Sequence, residues 1–189
     1  MQSHLFRLVT SLLVTLLLGG CAGHPTFTRI PLAQRDLSQV VLQRDDIPSE
    51  FGQDFSSSDD EDTFPDLPDA HTGLVNYHHV MYTAQSSSRI RSLFSWVRVY
   101  NDEEQAVKAY NAIRLQLIGD DLEIPQVGSE AHATYWLERL SARDRHTTLI
   151  LWRYPETVAA IIAFDSAGKA STSSVVELAQ AVQARIEGR

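Results

Sequence analysis

Residues Thr157 to Phe164 read Thr-Val-Ala-Ala-Ile-Ile-Ala-Phe, apolar at odd and even positions alike. A strand sends successive side chains to opposite faces, so a half-buried strand alternates and one buried on both faces does not. The segment therefore demands a sheet covered on both sides. Pro155 precedes it, and Ala167-Gly168-Lys169 reads as the loop that ends it.

The remaining elements fit that demand. Leu74 to Thr83 and Ile90 to Tyr100 are rich in Val, Tyr, Phe and Trp and read as a β-hairpin around the polar turn Gln85-Ser86-Ser87-Ser88. Asn101 with Glu104 has capping-box spacing. Ala106, Val107, Tyr110, Ile113 and Leu117 then recur at helical spacing, and Gly119 marks the end. Ala131 to Leu140 and His146 to Tyr154 make a second hairpin. Ser174 with Glu177 predicts another capped helix, which buries Val175, Val176, Ala179, Val182 and Ile186. Hairpin, helix, three-stranded meander and helix make an α+β domain. It has a largely antiparallel sheet of about five to six strands packed with two main helices. No internal repeat holds residue by residue.

The first third of the chain is organised differently. Residues 22–35 contain Pro25 and Pro31 without apolar periodicity and read as a tether. Leu37 to Leu42 reads as a short strand. In Asp45-Asp46-Ile47-Pro48-Ser49-Glu50-Phe51, Asp46 can accept from free backbone amides, and Pro48 suits an early helical position. Gly52 to Thr72, with Ser56 to Asp62 and then Pro65 and Pro68, reads as a polar acidic loop.

The N-terminus carries an address. Leu8 to Leu18 is apolar apart from Thr10, Ser11 and Thr15, and Arg7 precedes it. The run falls short of the ~20 residues that span a bilayer and suits a signal-peptide core. It closes on Leu18-Gly19-Gly20-Cys21, and Cys21 is the sole cysteine. The stretch resembles a bacterial lipoprotein signal. The resemblance implies a diacylglyceryl group on the Cys21 thiol and cleavage just before it. Residues 1–20 are then the signal peptide, 21–36 a lipidated tether, and 37–189 a single extracytoplasmic domain with its acidic loop at 52–72. Position 22 holds Ala22, whereas an aspartate there resembles an inner-membrane retention signal. Without the host, inner and outer membrane both stay open.

Charge narrows the partners. The chain has 16 basic and 24 acidic residues, and loss of Arg7 with the signal takes the formal charge from −8 to −9. Phosphate backbones demand clustered Lys and Arg, so nucleic acid is excluded as a partner. Anionic headgroups would repel the domain, so membrane residence falls to the acyl chains on Cys21. With Cys21 acylated no thiol remains for a disulfide, thiolate catalysis or a cysteine-bound metal.

A second resemblance runs along residues 37–187, mostly by element order. Asp-Asp-Ile-Pro-Ser-Glu-Phe at 45–51 and Val127-Gly128-Ser129-Glu130-Ala131 are similar to segments of uncharacterised cell-envelope lipoproteins. Those carry Asp-Leu-Pro-x-Gly-Phe and Val-Gly-Asp-Glu-Ala. The plan also resembles PsbP/Mog1-like domains. Ser49-Glu50 replaces the x-Gly pair here, and Ser129 replaces Asp. The resemblance implies a fold and an envelope setting, and no activity.

Chemistry-bearing constellations are sparse. His78 and His79 are adjacent on a strand and point to opposite faces, so with His71 they do not converge on one metal. The run Asp59, Asp60, Glu61, Asp62 with Asp66 lacks EF-hand spacing and reads as a solvated loop. No Gly-x-Ser-x-Gly or His-Glu-x-x-His occurs, so no catalytic residue, metal or cofactor is assigned. Trp96, Arg98 and Tyr100 share one strand face, and Trp152 and Tyr154 share another. If those faces coincide, they line an aromatic groove for a glycan, peptide or lipid. The plainer reading is core, since buried aromatics need no ligand to explain them. The expectation is a lipid-anchored binding or scaffolding lipoprotein of the cell envelope, its ligand and oligomeric state open. The alternative is an envelope hydrolase or isomerase with a dispersed site.

Overall fold

The computed structural model describes residues 30–58, 67–85, 90–139, 144–165 and 172–189. Cys21, the signal and most of the tether lie outside the described residues, as does the acidic run 59–66. The compact unit begins at Pro31, so it takes in part of the segment read as tether. Asn76 donates its side-chain amide to the carbonyls of Ala33 (3.3 Å) and Arg35 (3.0 Å), which fastens that piece to the sheet.

Seven strands form one antiparallel sheet: β1 (Phe51–Ser57), β2 (Leu74–Ala84), β3 (Ile90–Tyr100), β4 (Asp120–Asp121), β5 (Glu130–Arg139), β6 (Asp144–Tyr154) and β7 (Thr157–Asp165). Their order is β1-β2-β3-β7-β6-β5-β4. The helices are α1 (Pro68–His71), α2 (Glu103–Gln116) and α3 (Thr172–Ile186). The class is α+β, with a strand more than the sequence suggested. Two strands were not expected, β1, which pairs with β2 in place of a loop, and the two-residue β4, while Leu37 to Leu42 supplies none. Gln53, Asp54 and Ser56 are exposed on the edge strand β1, and that polar composition hid it.

The strand apolar on both faces sits at the centre. Ala159, Ile161 and Ala163 of β7 join one core, while Val158 and Ala160 join the other. β3 is its antiparallel neighbour, with Trp96 opposite Ala160 and Val97 opposite Ala159. Helix α2 covers the face of Trp96 with Ala106, Ala109, Tyr110 and Ile113, spaced at i, i+3, i+4 and i+7. Helix α3 covers the opposite face with Val175, Val176, Ala179, Val182 and Ile186. Each fully buried Val or Ile there contributes about 1.5–3 kcal/mol of transfer free energy.

Several local details differ from expectation. Asp102, not Asn101, caps α2 by accepting from Gln105 N (2.9 Å), because its carboxylate reaches a free first-turn amide. The helix ends at Gln116, so Leu117 packs from the cap rather than from within the last turn. Helix α3 begins at Thr172, which places Ser174 inside it rather than at its cap. Leu37 to Leu42 is no strand: Asp36 accepts from Ser38 N (3.0 Å) and closes a 3-10 turn over Leu37–Gln39. Leu37, Val40, Val41 and Leu42 are nonetheless buried, as an apolar run should be. A further 3-10 turn, Arg44–Asp46, is a capping box in which Asp46 Oδ2 accepts from Gln43 N (2.7 Å). Asp46 also pairs with Arg185 of α3.

Candidate functional site

The two groups of aromatic residues picked from sequence lie on opposite faces of the sheet. Trp96, Arg98 and Tyr100 face α2 and are at most 1% exposed. The Arg98 guanidinium donates to the Ala70 carbonyl (2.7 Å), and the Tyr100 hydroxyl donates to the same oxygen (2.9 Å). The guanidinium also lies 5.1 Å from the Tyr77 ring centre and 5.5 Å from that of Trp96. Arg98 and Tyr100 together fasten α1 to the sheet. Trp152 is fully buried in the other core, and Tyr154 packs half-buried against that core. A groove shared by all five does not form, because Trp152 is in register with Ala159 and Trp96 with Ala160, one residue out of phase.

Trp152 stands instead behind a different opening. A cavity of about 510 Å³ lies between the segment leading into β5 and the last turns of α3. Gln126, Val127 and Gly128 line one side, and Gln180, Gln183, Ala184, Glu187 and Arg189 the other. The Trp152 indole N–H donates to Gln183 Oε1 (2.9 Å), and Gln183 Nε2 donates to Glu187 Oε1 (2.8 Å). Glu187 also pairs with Arg189. The wall is therefore an amide held in one orientation by a buried indole, with its nearby charges matched.

The Val127-Gly128-Ser129-Glu130-Ala131 stretch shapes that wall. Val127 is buried in the core, and Ser129 N donates to the Arg153 carbonyl (2.8 Å). Gly128 has φ +62°, and a Cβ there would run into the Arg153 carbonyl, so backbone conformation and space both require glycine. Glu130 sits near Arg153 (3.7 Å) and Arg114 (3.9 Å). The stretch was visible in the sequence as a resemblance. Gln180 and Gln183, three apart at the margin of the α3 apolar stripe, were the signal that went unread.

A second cluster lies across the sheet edge. His78 is 7% exposed and faces the same side as Val80. Its Nε2 is 2.6 Å from Ser56 Oγ, and its Nδ1 is 3.0 Å from Ser58 Oγ. Burial is the main cause holding the imidazole pKa below its ordinary value; the charge of His79 adds to it and that of Asp36 opposes it. His79 faces the other side, opposite Trp96, so the two histidines diverge as strand geometry requires. The cluster has no signature in the sequence, because Ser56 and Ser58 stand in a polar stretch with the composition of a loop.

No helix among the described residues is long and apolar enough to cross a membrane. No protein-family model and no curated protein matches the chain. Among solved structures, the chain is similar to the extracellular domain of PknH from Mycobacterium tuberculosis, at 11% identity and a TM-score of 0.52. The match covers 85% of this chain and 99% of that one. A likeness at that identity concerns the fold alone.

Proposed function

We propose that this chain is a lipid-anchored extracytoplasmic lipoprotein of the bacterial cell envelope that binds a neutral, hydrogen-bonding ligand at the amide-lined cavity. Two features support the setting: Leu18-Gly19-Gly20-Cys21 at the end of an apolar run, and a fold like that of an extracellular domain. The observation that carries the binding role is the Gln183 amide, locked by Trp152 in the wall of a 510 Å³ cavity. Glutamine amides offer both donors and acceptors, and Glu187 and Arg189 balance each other. A glycan or a short peptide suits such a lining better than an ion.

The anchor is tested by mass spectrometry of the chain isolated from membranes. The expected N-terminus is an acylated Cys21, absent from Cys21→Ala; an unmodified N-terminus beyond Cys21 overturns the anchor. Binding is tested by thermal shift of the full chain in detergent against N-acetylated oligosaccharides and short peptides. A ligand of the native state raises the melting temperature. Gln180→Ala, an exposed change, should abolish that shift and leave the free protein's melting unaltered. A shift that survives Gln180→Ala and Gln183→Ala places the ligand elsewhere. An enzyme remains the second reading, favoured by one observation, the Ser56–His78 contact.

A further inference from the structure

Ser56 lies on edge strand β1 and Ser58 directly follows it, so the two side chains fall on one face. His78 of β2 is on that same face and takes one contact from each, 2.6 Å at Nε2 and 3.0 Å at Nδ1. A neutral imidazole has one donor and one acceptor nitrogen. If Ser56 donates its O–H to Nε2, then Nδ1 carries the proton and donates to Ser58 Oγ. That tautomer is the one a general base for a serine needs, with Ser58 where an orienting group belongs. Ser56 is solvent-exposed while His78 is buried, so the hydroxyl is reachable and the base is shielded.

We propose that Ser56 and His78 form a nucleophile–base pair that takes an acyl group from a carboxylic ester. His78 Nε2 removes the hydroxyl proton as Ser56 Oγ bonds to the ester carbonyl carbon. The bond from that carbon to the alkoxy oxygen breaks with its electron pair on oxygen. The oxygen collects the proton from His78 and leaves as an alcohol. Water then repeats the cycle: it gives a proton to Nε2, its oxygen bonds to the acyl carbon, and Ser56 Oγ leaves and recovers the proton. The products are an alcohol and a carboxylic acid, and the chain is unchanged. Ser58 is a positioning residue that holds the ring.

The groups set around His78 decide its charge. Asp36, before the Leu37–Gln39 turn, favours the protonated ring, while burial and neighbouring His79 oppose it. Val97 on β3 lies opposite and is apolar. The balance keeps the imidazole neutral, hence basic, at pH 7.

The test is a fluorophosphonate probe on the full chain in detergent, read by intact mass and peptide mapping. One adduct is expected, on Ser56. It is lost in Ser56→Ala and kept in Ser57→Ala, whose side chain belongs to the opposite face. His78→Gln should slow labelling by roughly 100-fold or more. In the natural chain the rate should rise with pH through a midpoint below the ordinary imidazole value of about 6.5. No adduct on Ser56 at about pH 8, where the imidazole is neutral, overturns the pair. A folded His78→Gln variant that labels at the natural rate does so too. If His78→Gln fails to fold, a flat rate between about pH 5 and 8 decides against it.

Discussion

On one face of the sheet, among the described residues, α2 covers the aromatic core with the single turn of α1 beside it. On the other, α3 shares the cover with the chain from Leu32 to Ile47 and its three 3-10 turns. The α2 face leaves part of itself open: Phe55 is 45% exposed, and its ring lies 5.3 Å from His79, whose ring is 5.5 Å from Phe94. The α3 face is closed more widely and carries the cavity at its margin. Their polar contacts differ in the same sense. Helix α2 is tied down by Arg153, which reaches Glu103 (2.9 Å) and Glu130 (3.7 Å) at the surface. Helix α3 is tied by the Trp152–Gln183 bond inside the core and by Arg185 to Asp46. One helix is thus held chiefly by apolar burial, the other by burial together with shielded polar bonds that also build a wall.

The largest effect should come from breaking the shielded polar contact along with its packing. Trp152→Ala removes a fully buried indole and strands the Gln183 amide oxygen. Trp96→Ala removes an equally buried indole on the α2 face. Large-to-small core changes of this type cost about 3–5 kcal/mol, and the orphaned amide adds to the first. Denaturant midpoints should therefore fall for both variants and further for Trp152→Ala. A folded Trp96→Ala protein with unchanged melting would mean the α2 face is not a packed core.

Next comes the helix held chiefly by burial. Ile113 is 1% exposed beneath α2, and Ile113→Ala should cost about 2–5 kcal/mol. Gln116, exposed on the same helix, should tolerate alanine with almost no shift in midpoint. Equal small effects from the pair would show that the phase of α2 against the sheet is misassigned.

How legible each face was follows from the same contrast. The buried apolar residues of α3 were readable one by one, since Val175, Val176, Ala179, Val182 and Ile186 follow the helical period. The same holds for the doubly buried β7. What escaped were elements set by hydrogen bonds rather than by periodicity: the turn that Asp36 closes, the cap at Asp102, the two-residue β4, and β1 in its ladder with β2. Strand β1 is an edge with one apolar anchor, Phe51, buried at its start and the next ring, Phe55, half in solvent. Such a strand has the composition of a loop, and Ser56 and Ser58 were lost with it. The aromatic residues were placed on the right strands, but which of them share a face depends on register across β3, β7 and β6. Register between distant strands is a tertiary property that no local window contains.

The smallest effects should separate shielded from exposed charges. Asp46 and Arg185 keep only 12% and 25% of their side-chain surface, and Asp46 also accepts the Gln43 amide. Asp46→Asn keeps the size and an acceptor but removes the charge. The loss should be about 1.5–3 kcal/mol, the range for hydrogen bonds to charged groups, and nearly independent of salt. Glu104 and Lys108 form an i,i+4 pair on α2 at 2.7 Å, with 75% and 51% of their side chains exposed. Water competes for both groups and salt screens them, so Glu104→Gln should leave the midpoint almost where it was. Any remaining difference should vanish at 1 M salt, where the screening length is about 3 Å. If Glu104→Gln costs as much as Asp46→Asn, surface charge matters to α2 as much as shielded charge does to α3. The contrast between the two faces would then rest on apolar packing alone.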